Sequence, residues 1–384
     1  MAAKRLVVLG SSGSIGRQAL EVVAAHPERL RVTGLAAHRD WQTVVEQCER
    51  YGVKTCCLVD HDAAAQAARH LDGVHVLAGA VGLRHLLAET AADLVLGAIS
   101  GSAGLVPLMD ALQAGKDVAL ANKEPLVVAG GLVTEAARAS GAKLLPVDSE
   151  LSAIFQCLQG QPRDAVARIV LTASGGPFHA LTAQELAAVT PQQALAHPTW
   201  RMGAKVTVDS ATLANKGFEI FETHWLFGVD FNCIDVVIHR QSIVHSLVEF
   251  QDSSVLAQLG CPDMRVPIQY ALLYPDRARN ELPRLDLVAG SPLTFDEPDL
   301  DRFPCLRLAR QAGISGGGYP AVLNGADEAA VQLFLDGQIA FTDIPRLLER
   351  ALEAYNGAQP DCLDDFLAVN EWAREFVMAS ARLD

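Results

Sequence analysis

Two acidic residues separated by one serine occur in the stretch LPVDSELSAIF (residues 145–155). Asp148 and Glu150 follow an apolar run that predicts a buried strand. Side chains at positions i and i+2 of an extended segment share a face, so the two carboxylates are expected to lie close together. Such a pair requires a cation, a shared proton or full solvation. The spacing therefore makes both residues candidates for metal binding or acid–base chemistry.

A third carboxylate occurs in VDSATLANKGFEIFETHWLFG (residues 208–228), whose apolar spacing predicts a helix opened by a polar turn. Asn215 and Glu219 would lie about 40° apart on one helical face, with Lys216 beside them. Lys216 and Glu219 could form an ordinary surface ion pair. Alternatively, Glu219 could join the two carboxylates above in an all-oxygen site for Mg²⁺ or Mn²⁺.

Small polar residues elsewhere are candidates for holding an anion. Ser174 precedes two glycines in LTASGGPF, a turn whose hydroxyl and backbone N–H groups could bind one. Ser210 is predicted to start a helix, and together with Asn215 and Lys216 it would form a phosphate cradle. The loop HPTWRMG (residues 197–203) contains the residue types of a lid that excludes water, namely His197, Trp200 and Met202.

A glycine-rich turn lies near the N-terminus, in VVLGSSGSIGRQAL. Gly10, Gly13 and Gly16 separate a predicted strand from a predicted helix. Glycines permit a tight turn and let the backbone approach a pyrophosphate at the helix N-terminus. The second strand ends in AAHRD, where His38 and Arg39 favour the 2′-phosphate of NADP, and Asp40 follows them.

Composition limits the possible partners. The chain has 384 residues and a formal net charge of −14, which argues against nucleic acid or an anionic membrane surface as a partner. The eight cysteines form no C-x-x-C pair, so reduced thiols are predicted. No signal peptide or run of transmembrane length is recognised, and a cytoplasmic location is expected.

The elements that must position these residues change character along the chain. Up to residue 148, near-continuous apolar strands alternate with helices, which predicts an α/β fold with a doubly wound, Rossmann-like parallel sheet. Residues 149–274 mix strands and helices as an α+β domain, and the period-two pattern over 235–260 predicts an antiparallel ribbon. Prolines mark 275–304 as a linker, and 305–384 have helical spacing. The predicted strands are 5–10, 31–37, 55–60, 74–79, 93–99, 117–122 and 143–148.

The ordered motifs resemble one family, the 1-deoxy-D-xylulose 5-phosphate reductoisomerases. The matching stretches are LGSSGSIG, ALANKEPLV, LLPVDSE, LTASGGPF, HPTWRMGAKVTVDSATLANKGFEIFE and QSIVHSLVEF. The resemblance implies a homodimer in which an NADPH-binding domain (1–148), a catalytic domain (149–274) and a C-terminal helical bundle follow one another. It also implies reduction and rearrangement of the substrate to 2-C-methyl-D-erythritol 4-phosphate, in the non-mevalonate route to isoprenoids.

The resemblance further implies a role for each matching residue. The metal ligands would be Asp148, Glu150 and Glu219. The catalytic residues would be these three and Lys123. The substrate would contact these residues and Ser149, Ser174, His197, Trp200, Met202, Ser210, Asn215 and Lys216, with 197–203 as a flap. NADPH would contact Gly10, Ser12, Gly13, Ser14, Ile15, His38, Arg39, Asp40, Asn122, Glu124 and Gly203.

Four residues depart from the family pattern. Leu151 and Ser152 stand where His-Asn usually follows the VDSE motif, and Pro125 replaces a serine behind Lys123. Asp40 replaces an asparagine, and its charge near the 2′-phosphate is expected to raise the KM for NADPH relative to an Asp40→Asn variant.

Two other functions would also account for part of this pattern. A simpler NADP-dependent dehydrogenase of a sugar phosphate or semialdehyde would share the glycine turn and Arg39 but would turn over without metal. A non-enzymatic NADP-sensing or scaffold protein would bind NADPH but no divalent ion. Metal dependence separates both from the predicted enzyme.

Overall fold

The computed structural model describes residues 2–200, 202–288 and 292–382. Within it the chain forms two compact units. The first comprises residues 1–125, 133–152 and 263–282, and the second comprises 126–132, 153–262 and 283–384.

The first unit contains a seven-stranded sheet in the order β4-β3-β2-β1-β5-β6-β7. All its pairings are parallel, and the central strand positions are fully buried. The strand order reverses direction beside β1, which makes the carboxyl ends of β1 and β5 a topological switch point where such folds bind ligands. The predicted doubly wound parallel sheet is confirmed. Its strands are β1 Lys4–Leu9, β2 Leu30–Ala37, β3 Thr55–Leu58, β4 His75–Ala78, β5 Leu94–Gly97, β6 Asp117–Leu120 and β7 Leu144–Pro146.

Helices connect these strands, as parallel pairing requires. Aspartates cap two of them: Asp40 accepts a hydrogen bond from the Thr43 backbone, and Asp60 accepts one from Ala63. The helices are α1 Ser14–Ala25, α2 Trp41–Tyr51, α3 His61–His70, α4 Gly79–Glu89, α5 Leu105–Gln113 and, later in the chain, α12 Arg265–Leu273. Two further helices contribute residues to both units, namely α6 Glu124–Ser140 and α7 Ser149–Cys157.

The second unit contains a four-stranded mixed sheet in the order β11-β10-β8-β9. The predicted antiparallel ribbon is confirmed for β10 and β11, but β9 runs parallel to β8. The period-two pattern could not distinguish these arrangements because both leave alternate residues on opposite faces. The strands are β8 Val166–Ala173, β9 Ile234–Ile238, β10 Val244–Phe250 and β11 Val255–Leu259.

The helices of the second unit include two short ones that begin with a capping box. Thr182 with Glu185, and Thr190 with Gln193, form complete capping boxes. The C-terminal portion is helical, as predicted. The helices are α8 Ala183–Leu186, α9 Pro191–Ala194, α10 Ala204–Thr212, α11 Ala214–Phe227, α13 Cys305–Ser315, α14 Tyr319–Leu335, α15 Asp343–Ala354 and α16 Leu363–Ser380.

The predicted functional domain boundaries stay a prediction. By packing, residues 263–282 belong with the first unit, and residues 283–384 belong with the second. Within the described ranges, no helix is both long and apolar enough to cross a bilayer.

Candidate active site

Asp148 and Glu150 lie at the beginning of a helix, not at the end of a strand. Strand β7 ends at Pro146, and α7 begins at Ser149. The expected extended i, i+2 geometry is therefore wrong. The two carboxylates nevertheless approach each other, with potential ligand oxygens within 4.8 Å. The partial positive charge at the start of the helix favours anions and offsets part of the repulsion between the two carboxylates.

Cationic and hydroxyl groups contact this carboxylate pair. The Lys123 Nζ atom lies 2.5 Å from Asp148 Oδ2, with only 8% of the lysine side chain exposed. Ser149 Oγ donates a hydrogen bond of 2.5 Å to Glu150 Oε2. The donor set consists of hard carboxylate oxygens, which fits Mg²⁺ or Mn²⁺.

The departures next to these residues lie in packed positions. Leu151 is fully buried and Ser152 is 1% exposed, so both side chains belong to the interior of the fold. Pro125 occupies the first turn of α6, where a proline's missing N–H costs no helical hydrogen bond. The local backbone accommodates all three departures.

The Glu219 carboxylate is held by its own helix. Asn215 Nδ2 donates to Glu219 Oε1 at 2.6 Å, and Lys216 Nζ lies 2.5 Å from Oε2. The side chains of Lys216 and Glu219 are 4% and 1% exposed. Because both side chains are buried, Lys216 and Glu219 are not an ordinary surface ion pair.

The segment before this cluster is not one helix. Leu213 adopts a left-handed conformation (φ 62°) and separates α10 from α11. Ser210 therefore lies in the last turn of α10, and its predicted position at a helix start is wrong. Asn215 and Lys216 occupy the first turn of α11, whose N-terminus favours an anion.

A histidine–serine pair forms the second half of the predicted anion site. His197 Nδ1 accepts hydrogen bonds from the backbone N–H groups of Thr199 and Trp200, at 3.1 and 2.9 Å. Nδ1 is therefore unprotonated, and Nε2 carries the hydrogen that it donates to Ser174 Oγ at 3.0 Å. Ser174 Oγ also accepts from the Gly176 N–H, so its own hydrogen can be donated to an anion.

Burial lowers the pKa of His197 below its ordinary value. Because the folded-state pKa lies below the unfolded one, stability is highest above about pH 6.5 and is lost as pH falls through the folded pKa. Between about pH 8 and pH 5 we expect the wild-type Tm to fall further than that of a His197→Asn variant, which keeps an acceptor but cannot titrate. Thermal unfolding across this pH range measures the two Tm profiles. Parallel profiles would show that the pKa of His197 does not differ between the folded and unfolded states.

The predicted lid residues follow this histidine. Trp200 and Met202 are half-buried, and the Trp200 ring lies 6.4 Å from the ring of His245. Gly203 is exposed and caps α10. Arg201 lies outside the described residues. Closure of this segment over a substrate stays a prediction.

The glycine-rich turn has the close approaches that a dinucleotide site requires. Gly10 has φ +81°, and a Cβ there would lie 2.3 Å from the Ala98 carbonyl oxygen. A Cβ on Gly16 would lie 2.3 Å from the Gly10 carbonyl oxygen. Helix α1 begins at Ser14 with Gly13 as its N-cap, and a glycine has no side chain with which to cap the helix. This N-terminus fits a pyrophosphate.

The end of β2 carries the predicted ribose-phosphate residues. His38 and Arg39 are exposed, and Arg39 Nε lies 3.2 Å from Asp60 Oδ2. Asp40 caps α2 and contacts Arg17, whose Nη2 lies 3.4 Å from Asp40 Oδ2. Sequence reasoning missed Arg17 because it follows the last glycine as an ordinary helical residue.

Asn122 and Glu124 follow β6, and both are buried. The Asn122 amide donates to the carbonyl oxygens of Ile99 and Gly101. Its Oδ1 is buried and has no hydrogen-bond partner among the residues that the structure describes. A buried acceptor costs free energy unless it is paired, so this atom fits a site that a bound group completes.

The parallel sheet, the glycine turn and the carboxylates are the features expected of a dinucleotide-dependent enzyme that binds a metal ion. Family models described as 1-deoxy-D-xylulose 5-phosphate reductoisomerase and its C-terminal domains match residues 6–130, 144–227 and 259–376. The reductoisomerase of Heliobacterium modesticaldum is 51% identical over 97% of this chain and 96% of its own, and that of Prosthecochloris aestuarii is 50% identical over 98% and 99%.

Solved structures agree with the sequence comparison. The Zymomonas mobilis reductoisomerase in complex with NADPH is 41% identical, covers 99% of both chains and superposes with a TM-score of 0.92. A reductoisomerase in complex with NADPH, fosmidomycin and magnesium is 37% identical, covers 99% of this chain and 98% of its own, and has a TM-score of 0.94.

The chain therefore belongs to the 1-deoxy-D-xylulose 5-phosphate reductoisomerase family. The predicted reaction is confirmed: the enzyme converts 1-deoxy-D-xylulose 5-phosphate to 2-C-methyl-D-erythritol 4-phosphate. Its cofactors are NADPH and a divalent metal ion. The alternatives of a simpler dehydrogenase and of a nucleotide-sensing scaffold are thereby excluded.

Proposed function

We propose that Asp148, Glu150 and Glu219 hold the divalent ion of this enzyme. The observation that carries the proposal is the approach of the Asp148 and Glu150 oxygens to within 4.8 Å, beside a buried ammonium group. Glu219 is added from the family motif, and its buried, hydrogen-bonded carboxylate is held in one orientation. When bound, the ion supplies Lewis acidity and a template for the ketone and neighbouring hydroxyl oxygens of the substrate.

Lys123 has two roles in this proposal. Its ammonium group fixes the orientation of the Asp148 carboxylate through the 2.5 Å contact. The same positive charge stabilises negative charge that develops on substrate oxygens during carbon–carbon cleavage and reclosure. Ser149, which hydrogen-bonds Glu150, contacts the substrate from the same helix start.

The substrate phosphate is assigned to a group of hydrogen-bond donors in the second unit. The Ser174 hydroxyl donates its remaining hydrogen, and Lys216 supplies positive charge at the start of α11. Binding energy from this remote group orients the reacting carbons and favours closure of 197–203, with Trp200 and Met202 excluding water. The other phosphate-site and substrate residues are His197, Ser210 and Asn215.

NADPH supplies the hydride when it is bound, and the first unit positions it. The uncapped start of α1 receives the pyrophosphate, and the end of β2 receives the ribose phosphate. Asn122 offers its buried Oδ1 as an acceptor. The assigned contacts are Gly10, Ser12, Gly13, Ser14, Ile15, His38, Arg39, Asp40, Asn122, Glu124 and Gly203.

Metal affinity tests the role of Glu219. We expect a Glu219→Gln variant to bind Mn²⁺ at least about tenfold more weakly than the wild type, because one anionic ligand is lost. Titration of the protein with Mn²⁺, followed by electron paramagnetic resonance, measures the dissociation constant. Glu249→Gln, on the surface of β10, is the matched control. Equal affinity in wild type and Glu219→Gln would remove Glu219 from the ligand set.

We further propose that the enzyme is a homodimer formed through β11. Within the described residues this edge strand is paired on one side only, and it exposes Val255, Leu256 and Leu259 by 50%, 40% and 37%. An exposed apolar edge strand favours pairing with another chain.

A cytoplasmic location is also proposed. It is supported by eight unpaired cysteine thiols in the described parts of the chain.

The dimer proposal predicts that Leu256→Glu produces monomers, because a buried charge at the interface is costly. Light scattering after size-exclusion chromatography should give twice the chain mass for the wild type and one chain mass for the variant. Leu287→Glu, at a residue that is 65% exposed, is the control and should remain dimeric. A wild-type protein of single-chain mass would contradict the proposal.

A further inference from the structure

The end of β2 presents an electrostatic problem for NADPH. An acidic residue at this position in dinucleotide-binding folds accepts hydrogen bonds from the ribose hydroxyls of NAD and repels the 2′-phosphate of NADP. Asp40 occupies this position, and the enzyme uses NADPH. A nearby positive charge must therefore offset the Asp40 carboxylate.

Both oxygens of the Asp40 carboxylate are engaged within the first unit. Oδ1 accepts the Thr43 backbone N–H at 3.2 Å and so caps α2. Oδ2 faces Arg17 Nη2 at 3.4 Å. One oxygen therefore serves the fold, and the other is paired with a guanidinium group from α1.

The guanidinium group of Arg17 is held at several points. Its Nε donates to the Ser12 carbonyl oxygen at 2.7 Å, within the glycine-rich turn. Its Nη2 also lies 3.3 Å from Thr43 Oγ1, on the first turn of α2. Arg17 thus contacts both the glycine-rich turn, which is assigned to the pyrophosphate, and Asp40, which is assigned to the ribose phosphate.

Arg39, the arginine that the family motif assigns to the phosphate, is already paired. Its Nε contacts Asp60, and 74% of its side chain is exposed. Arg17 and Arg39 together balance the charges of Asp40 and Asp60. If the charge of Arg17 is removed, Arg39, Asp40 and Asp60 together carry one net negative charge. This charge repels the 2′-phosphate, which itself carries nearly two negative charges.

We propose that Arg17 determines the preference of this enzyme for NADPH over NADH. It neutralises Asp40 and places a fixed positive charge beside the 2′-phosphate. The inference rests on the proposed cofactor site and adds to it a residue that the family motif does not assign. Arg17 is a specificity-determining residue here, and its effect is confined to the nucleotide that carries the 2′-phosphate.

Binding of the two nucleotides to the full chain, without substrate or metal, tests the proposal. Nucleotide fluorescence gives dissociation constants for NADPH and NADH. For Arg17→Gln we expect the NADPH constant to rise about tenfold and the NADH constant to change less than about twofold. Arg31→Gln removes the same charge from the exposed amino end of β2 and should change neither constant.

A second substitution keeps the test independent of folding effects. Asp40→Asn preserves a side chain that can cap α2 but removes the charge. In the double variant Arg17→Gln/Asp40→Asn, the NADPH constant should return to within about threefold of the wild type. An equal rise for both nucleotides in Arg17→Gln, or no rise, would overturn the proposal. Failure of the wild type to bind NADPH would instead contradict the proposed cofactor site.

Discussion

An Asp148→Asn variant is expected to lose at least about a thousandfold in kcat/KM, equivalent to roughly 4 kcal/mol of transition-state stabilisation. The substitution removes one anionic ligand of the proposed metal site and a charged carboxylate in contact with Lys123. The ammonium group of Lys123, whose side chain is only 8% exposed, would then lose this charge compensation beside the proposed substrate oxygens. Oxidation of NADPH with 1-deoxy-D-xylulose 5-phosphate and Mn²⁺ measures the loss.

Two comparisons show whether this loss comes from the site. Asp110→Asn, which breaks the surface pair with Arg84, should retain wild-type kcat/KM. Asp148→Asn should also bind NADPH with wild-type affinity, because the dinucleotide contacts are assigned elsewhere in the first unit. Activity within about tenfold of the wild type would show that Asp148 is not a metal ligand.

The second large effect is expected for stability. Lys205 Nζ lies 2.7 Å from Asp209 Oδ2 and 2.6 Å from Asp327 Oδ2, and these two carboxylates are 2% and 0% exposed. Removing one member of a buried charge network leaves costly charges behind. Lys205→Met should therefore lower the free energy of unfolding by about 3–5 kcal/mol. Urea unfolding monitored by circular dichroism measures the change.

The two buried carboxylates that lose their contact with the Lys205 ammonium group are the proposed cause, and a second substitution tests it. In Lys205→Met/Asp327→Asn one buried negative charge is also removed, so part of the lost stability should return. Lys143→Met, at an exposed position, is the control and should change stability by no more than about 0.5 kcal/mol. A Lys205→Met protein as stable as this control would contradict the explanation.

The features that sequence predicted most fully are those determined locally. The alternation of apolar strands and helices predicted all seven strands of the parallel sheet. The glycines at 10 and 16 were predicted from their spacing, and the backbone contacts that a Cβ would break explain their presence.

The features that were missed depend on tertiary contacts. Leu213 is an apolar residue in a left-handed conformation, which local propensity disfavours, so the break between α10 and α11 was not predicted. The helix start at Ser149 replaced an expected strand end because a short apolar run gives no clear boundary. Arg17 was missed because its partner lies 23 residues away in the chain.

This chain carries out a metal- and NADPH-dependent reductive rearrangement, and that conclusion can be tested directly. Its most direct test follows NADPH absorbance with 1-deoxy-D-xylulose 5-phosphate and Mn²⁺, repeated with a chelator and with NADH in place of NADPH. We predict rapid oxidation of NADPH that stops when the metal is removed and is far slower with NADH. Oxidation that persists in the chelator, or a folded, NADPH-binding protein that does not oxidise NADPH with metal present, would contradict the claim.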